Sequence, residues 1–368
     1  MIDSCDACLR RALLIAHLAP RIAGLLGRSE RRAHGLLALP EEELLAATAG
    51  RHVERALAFL DSLDVQRERA RLAEQGCLAV CVHSADYPRL LSDLPDPPAV
   101  LFGAGRPEAL ALLDDEPGVT LVGTRRASPY GTEVAYALGR GLGAAGVPVV
   151  SGLALGIDGT AHRGCLDGCG VPVAVVASGP DVVYPRRHRS LHARVQEAGL
   201  VLSELPPGTE PYRWSFPARN RIMAGLGRIT VVVEAADPSG SLITAEFAKD
   251  LGRCVAAVPG RVTSSLARGT NNLLKDGATP ISGTEDVLDE LFGVGVRSVA
   301  ERVESRPAPD DPFLRAVLKA AESGDSVEAV ATETGRSIAE TRAALGRLEA
   351  EGYLVRGDLG GWERTAHR

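Results

Sequence analysis

From residue 118 to residue 260 the sequence alternates between short apolar runs and longer segments with helical periodicity. The runs read GVTLVG, VPVVSG, VPVAVVASG, LVLSE, RITVVVEA and RCVAAVPG. Near-continuous apolar strands are expected where helices cover both faces of a parallel sheet. The alternation therefore predicts an α/β fold with a doubly wound, mostly parallel, Rossmann-like sheet. In such a sheet the ligand site lies in the loops at the carboxyl ends of the strands.

The pattern changes on both sides of this core, as expected for a chain of 368 residues with two or three domains. Residues 1–72 carry apolar residues at helical spacing. They predict a helical domain, either helix-hairpin-helix-like (SAM-like) or a packing domain without chemistry of its own. Residues 73–292 form the extended Rossmann-like core, and the polar, proline-containing residues 293–311 predict a linker.

The C-terminal segment, residues 312–368, has the order helix, helix, short turn, helix and strand–turn–strand around GDLGG. This order is typical of a winged helix. The third helix sets Arg342 and Arg347 among glutamates, whereas a DNA-reading helix is enriched in groups that contact bases and phosphates. We therefore expect the segment to bind a protein partner in preference to DNA.

Charge and hydropathy restrict the function classes. A net charge of −6 and a pI near 5.8 argue against non-specific coating of nucleic acid, but they permit local basic patches. No apolar run reaches the length of a membrane span, and the N-terminus lacks the order of a signal peptide. These features predict a cytoplasmic protein without a membrane partner.

Seven cysteines, an odd number, fit a reduced compartment. Cys5 and Cys8 have the C-x-x-C spacing of half a zinc site, but no second C-x-x-C completes it. Cys77/Cys81 and Cys165/Cys169 have the wrong spacing for the usual closed sites. We expect buried or incidental thiols, no metal and no cofactor.

The loops that follow the predicted strands are rich in glycine and serine, which suit anion binding by backbone N–H groups at a helix start. Their candidate residues are Gly123, Arg125 and Ser128, then Ser151, Gly152 and Asp158, then Arg186 and Arg187, and finally Ser239, Gly240 and Ser241. We expect Asp158 and His162 to cap or position the site, because no nucleophile stands beside a base. The G-x-G-x-x-G match at Gly141 ends a predicted helix and is not a dinucleotide motif.

Two windows of the core carry arginines without any acid, between Asp181 and Glu197 and between Glu210 and Glu234. Their arginines are Arg186, Arg187, Arg189 and Arg194, and Arg213, Arg219, Arg221 and Arg228. Aromatic residues that can stack on bases stand close by, namely Tyr184, Tyr212, Trp214 and Phe216. The combination predicts a basic groove for a single-stranded nucleic acid. The alternative is that Trp214 and Phe216 fill the core and Arg219 pairs with a carboxylate such as Glu204.

These stretches resemble the DNA-processing protein A family, also called DprA or Smf. The matching segments are DYPRLL, VGTRRASPYG, SGLALGIDGTAH, SGPDVVYP, LSELPPG, FPARNRIMAGL, SGSLITAEFA, VPG and GTNNLLKDGA, in order over residues 85–280. The resemblance implies a basic pocket for single-stranded DNA and a homodimer. It also implies a role in natural transformation or related recombination: loading of the strand-exchange recombinase RecA and displacement of single-strand-binding protein.

Carried onto this chain, the family's pocket falls on Gly123, Arg125, Ser128, Ser151, Gly152, Asp158, Gly179, Arg186, Arg213, Phe216, Arg219, Asn220 and Arg221. The resemblance places the dimer surface near Leu273 and Leu274. His188 stands where the family typically has asparagine. This departure leaves open which group caps the following helix and positions Arg186 and Arg187.

A nucleotide-processing, phosphoribohydrolase-like enzyme is the alternative function. Such enzymes carry P-G-G-x-G-T before a catalytic glutamate, and PSGSLITAE places Glu246 in that register from Pro238. Leu242 and Ile243, however, replace the glycine and threonine that would leave room for a phosphate. The sequence therefore favours a non-enzymatic DNA binder.

Overall fold

A computed structural model describes residues 2–26, 33–298, 309, 311–323, 326–351, 353–356 and 362–364. The chain divides into two compact units, Met1–Ala300 and Glu301–Arg368. Most of the predicted linker and the predicted wing around GDLGG lie outside the described residues, at 299–308, 310 and 357–361. The domain boundaries inferred from the sequence stay predictions.

Within the described part of the first unit, ten strands form a single sheet. They are β1 (Ile2–Asp3), β2 (Leu78–Cys81), β3 (Val100–Gly105), β4 (Val119–Val122), β5 (Val149–Ser151), β6 (Pro172–Val175), β7 (Leu200–Ser203), β8 (Ile229–Val232), β9 (Cys254–Ala257) and β10 (Thr279–Pro280). The spatial order is β1-β2-β3-β7-β6-β5-β4-β8-β9-β10. β3 pairs antiparallel with β2 and β7, and the other pairs are parallel. The predicted fold class, a mostly parallel doubly wound sheet, is confirmed.

The order in which successive strands are added to the sheet reverses at β4. Val119 of β4 pairs with Val149 of β5 on one side and with Ile229 of β8 on the other. Strands β4 to β7 extend the sheet one way, and β8 to β10 extend it the other way. Loops that leave adjacent strands in opposite directions open a crevice at the carboxyl edge, where ligands of open α/β sheets bind. The sheet therefore positions a site beside the loops after β4, β5 and β8.

Fourteen helices are described in this unit. They are α1 (Asp6–Leu26), α2 (Ala33–Leu37), α3 (Glu41–Ala49), α4 (Val53–Ser62), α5 (Val65–Glu74), α6 (Arg89–Ser92), α7 (Glu108–Asp115), α8 (Pro129–Ala144), α9 (Ile157–Asp167), α10 (Arg189–Ala198), α11 (Ser215–Leu226), α12 (Gly240–Asp250), α13 (Arg268–Lys275) and α14 (Thr284–Phe292). Across the described residues, no helix is both long and apolar enough to span a membrane.

The helices cover both faces of the sheet, which explains the apolar strands. Leu121 of β4 packs with Leu138 of α8 and Ala161 of α9 on one face. The next residue, Val122, packs with Ile222 of α11 and with α12 on the opposite face. Successive side chains of a strand point to opposite faces, so both must be apolar when both faces are covered.

The N-terminal helices pack on one another and on the beginning of α11. Leu14 and Leu18 of α1 share a core with Leu205 and Trp214. The indole Nε1 of Trp214 donates a hydrogen bond to the carbonyl oxygen of Ala19 (3.1 Å), and the side chain is only 1% exposed. Trp214 is therefore a core residue and offers no stacking face. This packing joins the N-terminal helices to the helix that carries Phe216, Arg219 and Arg221.

The second unit contains α15 (Pro312–Ser323), α16 (Val327–Thr334), α17 (Ile338–Ala350) and the antiparallel strands β11 (Leu354–Arg356) and β12 (Trp362–Arg364). Ser337 caps α17: its hydroxyl accepts from the backbone N–H of Glu340, whose carboxylate accepts from that of Ser337. Leu345, Leu348 and Trp362 share its core. The element order follows the sequence pattern, and the winged-helix assignment stays a prediction.

Candidate functional site

A pocket opens at the carboxyl edge of the sheet, among the loops that follow β4, β5 and β6 and the start of α11. It is lined by Arg125, Gly152, Ala154, Leu155, Val176, Ala177, Ser178, Tyr184, Pro185, Pro211, Phe216 and Arg219. Five of the residues predicted from the sequence thus meet at one place: Arg125, Gly152, Tyr184, Phe216 and Arg219.

Phe216 lies between a cation and a second ring. The guanidinium carbon of Arg125 stands 4.8 Å from the centroid of the Phe216 ring. The ring of Tyr184 lies 5.5 Å from Phe216 at an interplanar angle of 56°. Arg125 and Tyr184 are exposed, and Phe216 is half-buried. A cation and two accessible ring faces therefore stand within reach of one ligand.

Exposed arginines stand next to the pocket-lining residues along the chain, and we call this surface the basic edge. It comprises Arg125, Arg126, Arg186, Arg187 and Arg213, together with Tyr184 and Phe216. Among the residues that the structure describes, Arg125, Arg126, Arg186 and Arg187 form no salt bridge. Their charge is therefore available to an anionic ligand.

Two arginines of the predicted groove lie elsewhere. Arg194 pairs with Asp167, the last residue of α9, at 2.9 Å. Arg228 immediately precedes β8 and its N–H bonds to Gly118, just before β4, so it lies at the amino edge of the sheet. Each acid-free window is long enough to include both ends of a helix. Counting its arginines therefore overestimates how many lie at the carboxyl edge of the sheet.

Arg219 is buried and holds the loop after β5. Its Nη1 donates to the carbonyl oxygens of Gly152 (2.7 Å) and Val175 (2.5 Å), and its Nη2 lies 3.7 Å from a carboxylate oxygen of Asp158. Burial lowers the pKa of Arg219 to about 10, with the nearby Asp158 opposing the shift. The alternative of a buried arginine–carboxylate pair therefore applies to Arg219, although its partner is Asp158 and not Glu204.

Asp158 and Gly152 complete this arrangement. Burial raises the pKa of Asp158, while Arg219 and the backbone N–H groups of Ala154 and Gly152 act in the opposite direction. A Cβ atom at Gly152 would lie 1.8 Å from Nη1 of Arg219. Gly152 is therefore needed for the close approach of this guanidinium, and both residues shape the pocket floor from inside.

Arg221 is placed in the protein interior, with 1% of its surface exposed. Its Nε donates to Asp96 (2.9 Å) and its Nη2 to Glu204 (2.8 Å). A guanidinium held by two carboxylates in the core cannot reach a phosphate at the surface. The expectation that Arg221 contacts the ligand is corrected accordingly: it joins α11 to the loops that carry Asp96 and Glu204.

Ser128, in the loop after β4, and Ser151, the last residue of β5, both hydrogen-bond to other parts of the protein. Ser128 Oγ accepts from Gly131 N–H (3.0 Å) at the start of α8 and donates to Glu234 (2.7 Å). Ser151 is fully buried and its hydroxyl donates to the carbonyl oxygen of Leu121 (2.6 Å). Both side chains are occupied by protein partners, and we do not carry them into the ligand-binding surface.

Sequence reasoning missed Glu234, which links the loops after β4 and β8. Its carboxylate accepts from the backbone N–H (2.8 Å) and hydroxyl of Ser128, and its carbonyl oxygen accepts from Thr124 N–H (2.7 Å). The available signal was an acid directly after an apolar strand, in VVVEA. A Cβ atom at Gly123 would lie 2.9 Å from the same carbonyl oxygen, so the two loops need glycine there.

The start of α12 lies against α11. Asn220 donates from Nδ2 to the carbonyl oxygen of Gly240 (3.1 Å), and the hydroxyls of Ser239 and Ser241 are 2.8 Å apart. Asn220 is buried while Gly240 is exposed. The backbone at the start of α12 is therefore exposed to solvent, and the hydrogen bond from Asn220 holds it in place.

The same helix disfavours the enzyme alternative. Leu242 packs against the hydrophobic core at the position where a phosphate-binding enzyme needs glycine. Glu246 is exposed on α12. On the neighbouring helix α9, burial lowers the pKa of His162 to about 3 and favours its neutral form.

His188 takes part in holding the loop after β5. Its Nδ1 lies 2.9 Å from the carbonyl oxygen of Leu153, a residue with a left-handed φ of 53°. His188 ends a short 3₁₀ turn that contains Arg186 and Arg187 and leads into α10. His188 thus anchors the turn that carries the two exposed arginines to the neighbouring loop.

Three predicted positions remain. Gly179 is buried, and its N–H donates to the carbonyl oxygen of Thr209 (2.8 Å), so it shapes the loop after β6. Leu273 and Leu274 lie on α13 and are half-buried, with Leu273 packed against the core.

Comparison with known proteins identifies the family. The sequence profile of the family described as DNA recombination-mediator protein A matches residues 79–292, more than half of the chain. The DNA processing protein DprA of Bacillus subtilis is 40% identical over 61% of this chain and 75% of its own length. Protein Smf of Escherichia coli is 35% identical over 73% of this chain and 72% of its own length. Protein Smf of Synechocystis is 41% identical, and the match spans 52% of that protein.

Solved structures give the same result. DNA processing protein A of Streptococcus pneumoniae superposes with a TM-score of 0.62 at 32% identity, over 79% of this chain and 99% of that chain. The Helicobacter pylori protein superposes with a TM-score of 0.52 at 30% identity, over 58% of this chain and 95% of that chain. The chain belongs to the DNA recombination-mediator protein A family, whose relatives carry the names DprA and Smf.

Proposed function

We propose that this protein binds single-stranded DNA on the basic edge and thereby acts as a mediator of DNA recombination. The observation that carries the proposal is the grouping of exposed arginines around Phe216 and Tyr184 on a chain of net charge −6. Most of the protein repels a polyanion, so attraction has to come from a local surface. The basic edge combines that attraction with accessible rings.

The rings give the proposed preference for single strands. Guanidinium groups bind phosphate in any nucleic acid, since the backbone charge does not depend on pairing. An aromatic face stacks on a base only when that base is unpaired and free to turn outward. Phe216 and Tyr184 lie beside Arg125, so the backbone and its bases are engaged together.

A relative supports this proposal. The Helicobacter pylori structure is described as showing the single-stranded DNA binding mode of DNA processing protein A. That structure superposes on this chain with a TM-score of 0.52 at 30% identity. We extend the binding mode to this chain, with Arg219 and Asp158 holding the loops from inside and the exposed arginines contacting phosphates.

Binding is expected to weaken steeply with salt. Each phosphate neutralised on a single strand contributes about 0.7 to the slope of log affinity against log salt. Replacing Arg186 and Arg187 together with alanine should lower this slope by about 1.4 if each neutralises one phosphate. Fluorescence anisotropy of a labelled oligothymidylate over a salt series measures it. Arg228→Ala at the amino edge is the control, and equal slopes for both variants would contradict the assignment.

We propose that the bound strand is passed to the recombinase RecA, with displacement of single-strand-binding protein, in natural transformation or a related cytoplasmic pathway. The family's description as a recombination mediator supports this step. RecA-dependent ATP hydrolysis on single strands coated with single-strand-binding protein tests this proposal.

We also propose a homodimer through α13 around Leu273 and Leu274, which are both half-buried. The sedimentation coefficient of Leu273→Glu tests the dimer separately.

The second unit is proposed to contact a protein partner. Its third helix, α17, carries Glu340 and Glu349, and Arg347 pairs with Glu351 at 2.7 Å. Deleting residues 312–368 should change the affinity for single-stranded DNA by less than about threefold, because exposed acids do not attract phosphate. The same anisotropy titration on the shortened chain measures this. Loss of most of the affinity would show that the unit is a DNA reader.

A further inference from the structure

Four metal-binding side chains meet at the edge of the sheet that lies farthest from β10. They come from three places in the chain: the residue before α1, the first turn of α1, and the end of β2 with the loop that follows it. They are Cys5, Cys8, Cys81 and His83. We call them the Cys3His cluster. The sequence pattern predicts no metal, because the ligands complete C-x-x-C with C-x-H instead of a second C-x-x-C.

The distances within the cluster fit a tetrahedral ion. With Zn–S near 2.3 Å and Zn–N near 2.0–2.1 Å, ligand atoms around zinc stand about 3.5–3.8 Å apart. Here Nδ1 of His83 lies 3.6 Å from Sγ of Cys5 and 3.3 Å from Sγ of Cys8. All four ligand atoms lie within 4.8 Å of one another. One ion at their centre reaches all four with only small side-chain movements.

The four ligands lie at a helix start and are partly shielded from solvent. Cys5 and Cys8 flank the start of α1, where the partial positive charge of the helix end stabilises an anion. The backbone N–H of Cys5 donates to Sγ of Cys81 (3.3 Å). Cys8 and Cys81 are buried, so their sulfurs are shielded from solvent.

We propose that the Cys3His cluster binds one zinc ion with a structural role. Three thiolates and one imidazole bind zinc in preference to calcium or magnesium, which prefer oxygen ligands. Four protein ligands close the coordination shell of zinc. A closed shell leaves no position for a substrate or a reactive water. The site therefore stabilises the fold, and none of its four ligands lines the pocket.

The location explains what the ion stabilises. Strand β1 is two residues long and pairs only through Ile2 with Ala79 and Asp3 with Val80. So short an edge strand is weakly held by its own ladder. Zinc would join β1 and α1 to β2 directly. Since α1 packs on Trp214 through Ala19, the ion also stabilises the layer against which α11 rests.

Zinc content and cobalt spectroscopy of the full chain test the proposal. The protein, purified in reducing buffer without chelator, should contain about one zinc per chain. After chelation and addition of cobalt, it should show thiolate charge-transfer bands and the intense d–d bands of a tetrahedral ion. Sub-stoichiometric zinc together with an octahedral cobalt spectrum would overturn the proposal.

Variants localise the ion. His83 is exposed, so His83→Ala should fold and should bind zinc about tenfold or more weakly, while His83→Cys keeps four ligands and should restore binding. Cys169→Ser, at an exposed cysteine outside the cluster, is the matched control and should bind as the wild type does. Equal zinc affinity in His83→Ala and wild type would overturn the assignment.

A native fluorophore reports the structural role. The chain has two tryptophans, and Trp362→Phe leaves Trp214, whose indole bonds to α1. Removing zinc from this variant should lower its melting temperature and shift Trp214 emission to longer wavelength, and adding zinc should reverse both changes. Zinc that binds and leaves without affecting either signal would contradict the structural role.

Discussion

Replacing Arg221 with alanine is expected to destabilise the protein by about 3–5 kcal/mol. The loss arises because Asp96 and Glu204 would remain in the interior without the guanidinium that neutralises both, at 2.9 and 2.8 Å. Removing one partner of a buried ion pair leaves an uncompensated charge, which costs more than the pair itself contributes. Urea unfolding followed by circular dichroism measures the change in the free energy of unfolding.

Two further variants separate this explanation from a general effect of losing arginine. Arg228→Ala removes an exposed arginine of the same unit and should change the free energy of unfolding by less than about 0.5 kcal/mol. Combining Arg221→Met with Asp96→Asn and Glu204→Gln removes the unpaired charges and should recover a large part of the stability. A stable Arg221→Ala, or a triple variant no better than Arg221→Ala, would be inconsistent with the buried network.

Replacing Phe216 with leucine is expected to weaken binding of single-stranded DNA without loss of the fold. Leucine keeps an apolar body in the half-buried position, but it offers no face for a base and none for Arg125, now 4.8 Å from the ring. A base stacked on an aromatic ring contributes about 1–3 kcal/mol, so the affinity should fall about 5- to 150-fold. Anisotropy of a labelled oligothymidylate at fixed salt measures this.

Phe216→Tyr retains the ring and should bind within about threefold of wild type. Tyr136→Leu is the control for loss of an aromatic elsewhere: this half-buried tyrosine bonds to Asp167, the last residue of α9, and should leave DNA binding unchanged. If Phe216→Leu bound as tightly as Phe216→Tyr, base stacking at the pocket would be excluded and Phe216 would be a packing residue.

The fold of the core was predictable because both faces of its sheet are covered. Leu121 and Val122 point to opposite cores, so the strand is apolar throughout and recognisable in sequence. The pairing of the outer strands was not predicted. β1 has two residues, and β3 runs antiparallel after a stretch punctuated by prolines, so neither has a distinctive pattern. Their pairing depends on contacts between distant segments.

The location of the candidate site was predictable from the sequence, but the contacts of its individual side chains were not. Loop position after a parallel strand identified Arg125 and Gly152, and the acid-free arginine window pointed to Phe216. These three residues do meet. Sequence could not show that both arginines within FPARNRIMAGL are buried. Arg219 and Arg221 are two residues apart and yet find different carboxylates, Asp158 and Asp96, that are remote in the chain. The Cys3His cluster escaped for the same reason, since Cys8 and Cys81 are joined only by the fold.

The most direct test is a titration of labelled single-stranded and duplex oligonucleotides of one sequence with wild type, Arg125→Ala and Arg228→Ala. Arg125 is exposed, stands over Phe216 and forms no salt bridge with any residue in the described ranges. We predict that wild type and Arg228→Ala bind the single strand at least about tenfold more tightly than the duplex. We predict that Arg125→Ala loses most of that affinity while unfolding as wild type does. Equal affinity for both oligonucleotides, or no effect of Arg125→Ala, would contradict the assignment of the basic edge as the DNA-binding surface.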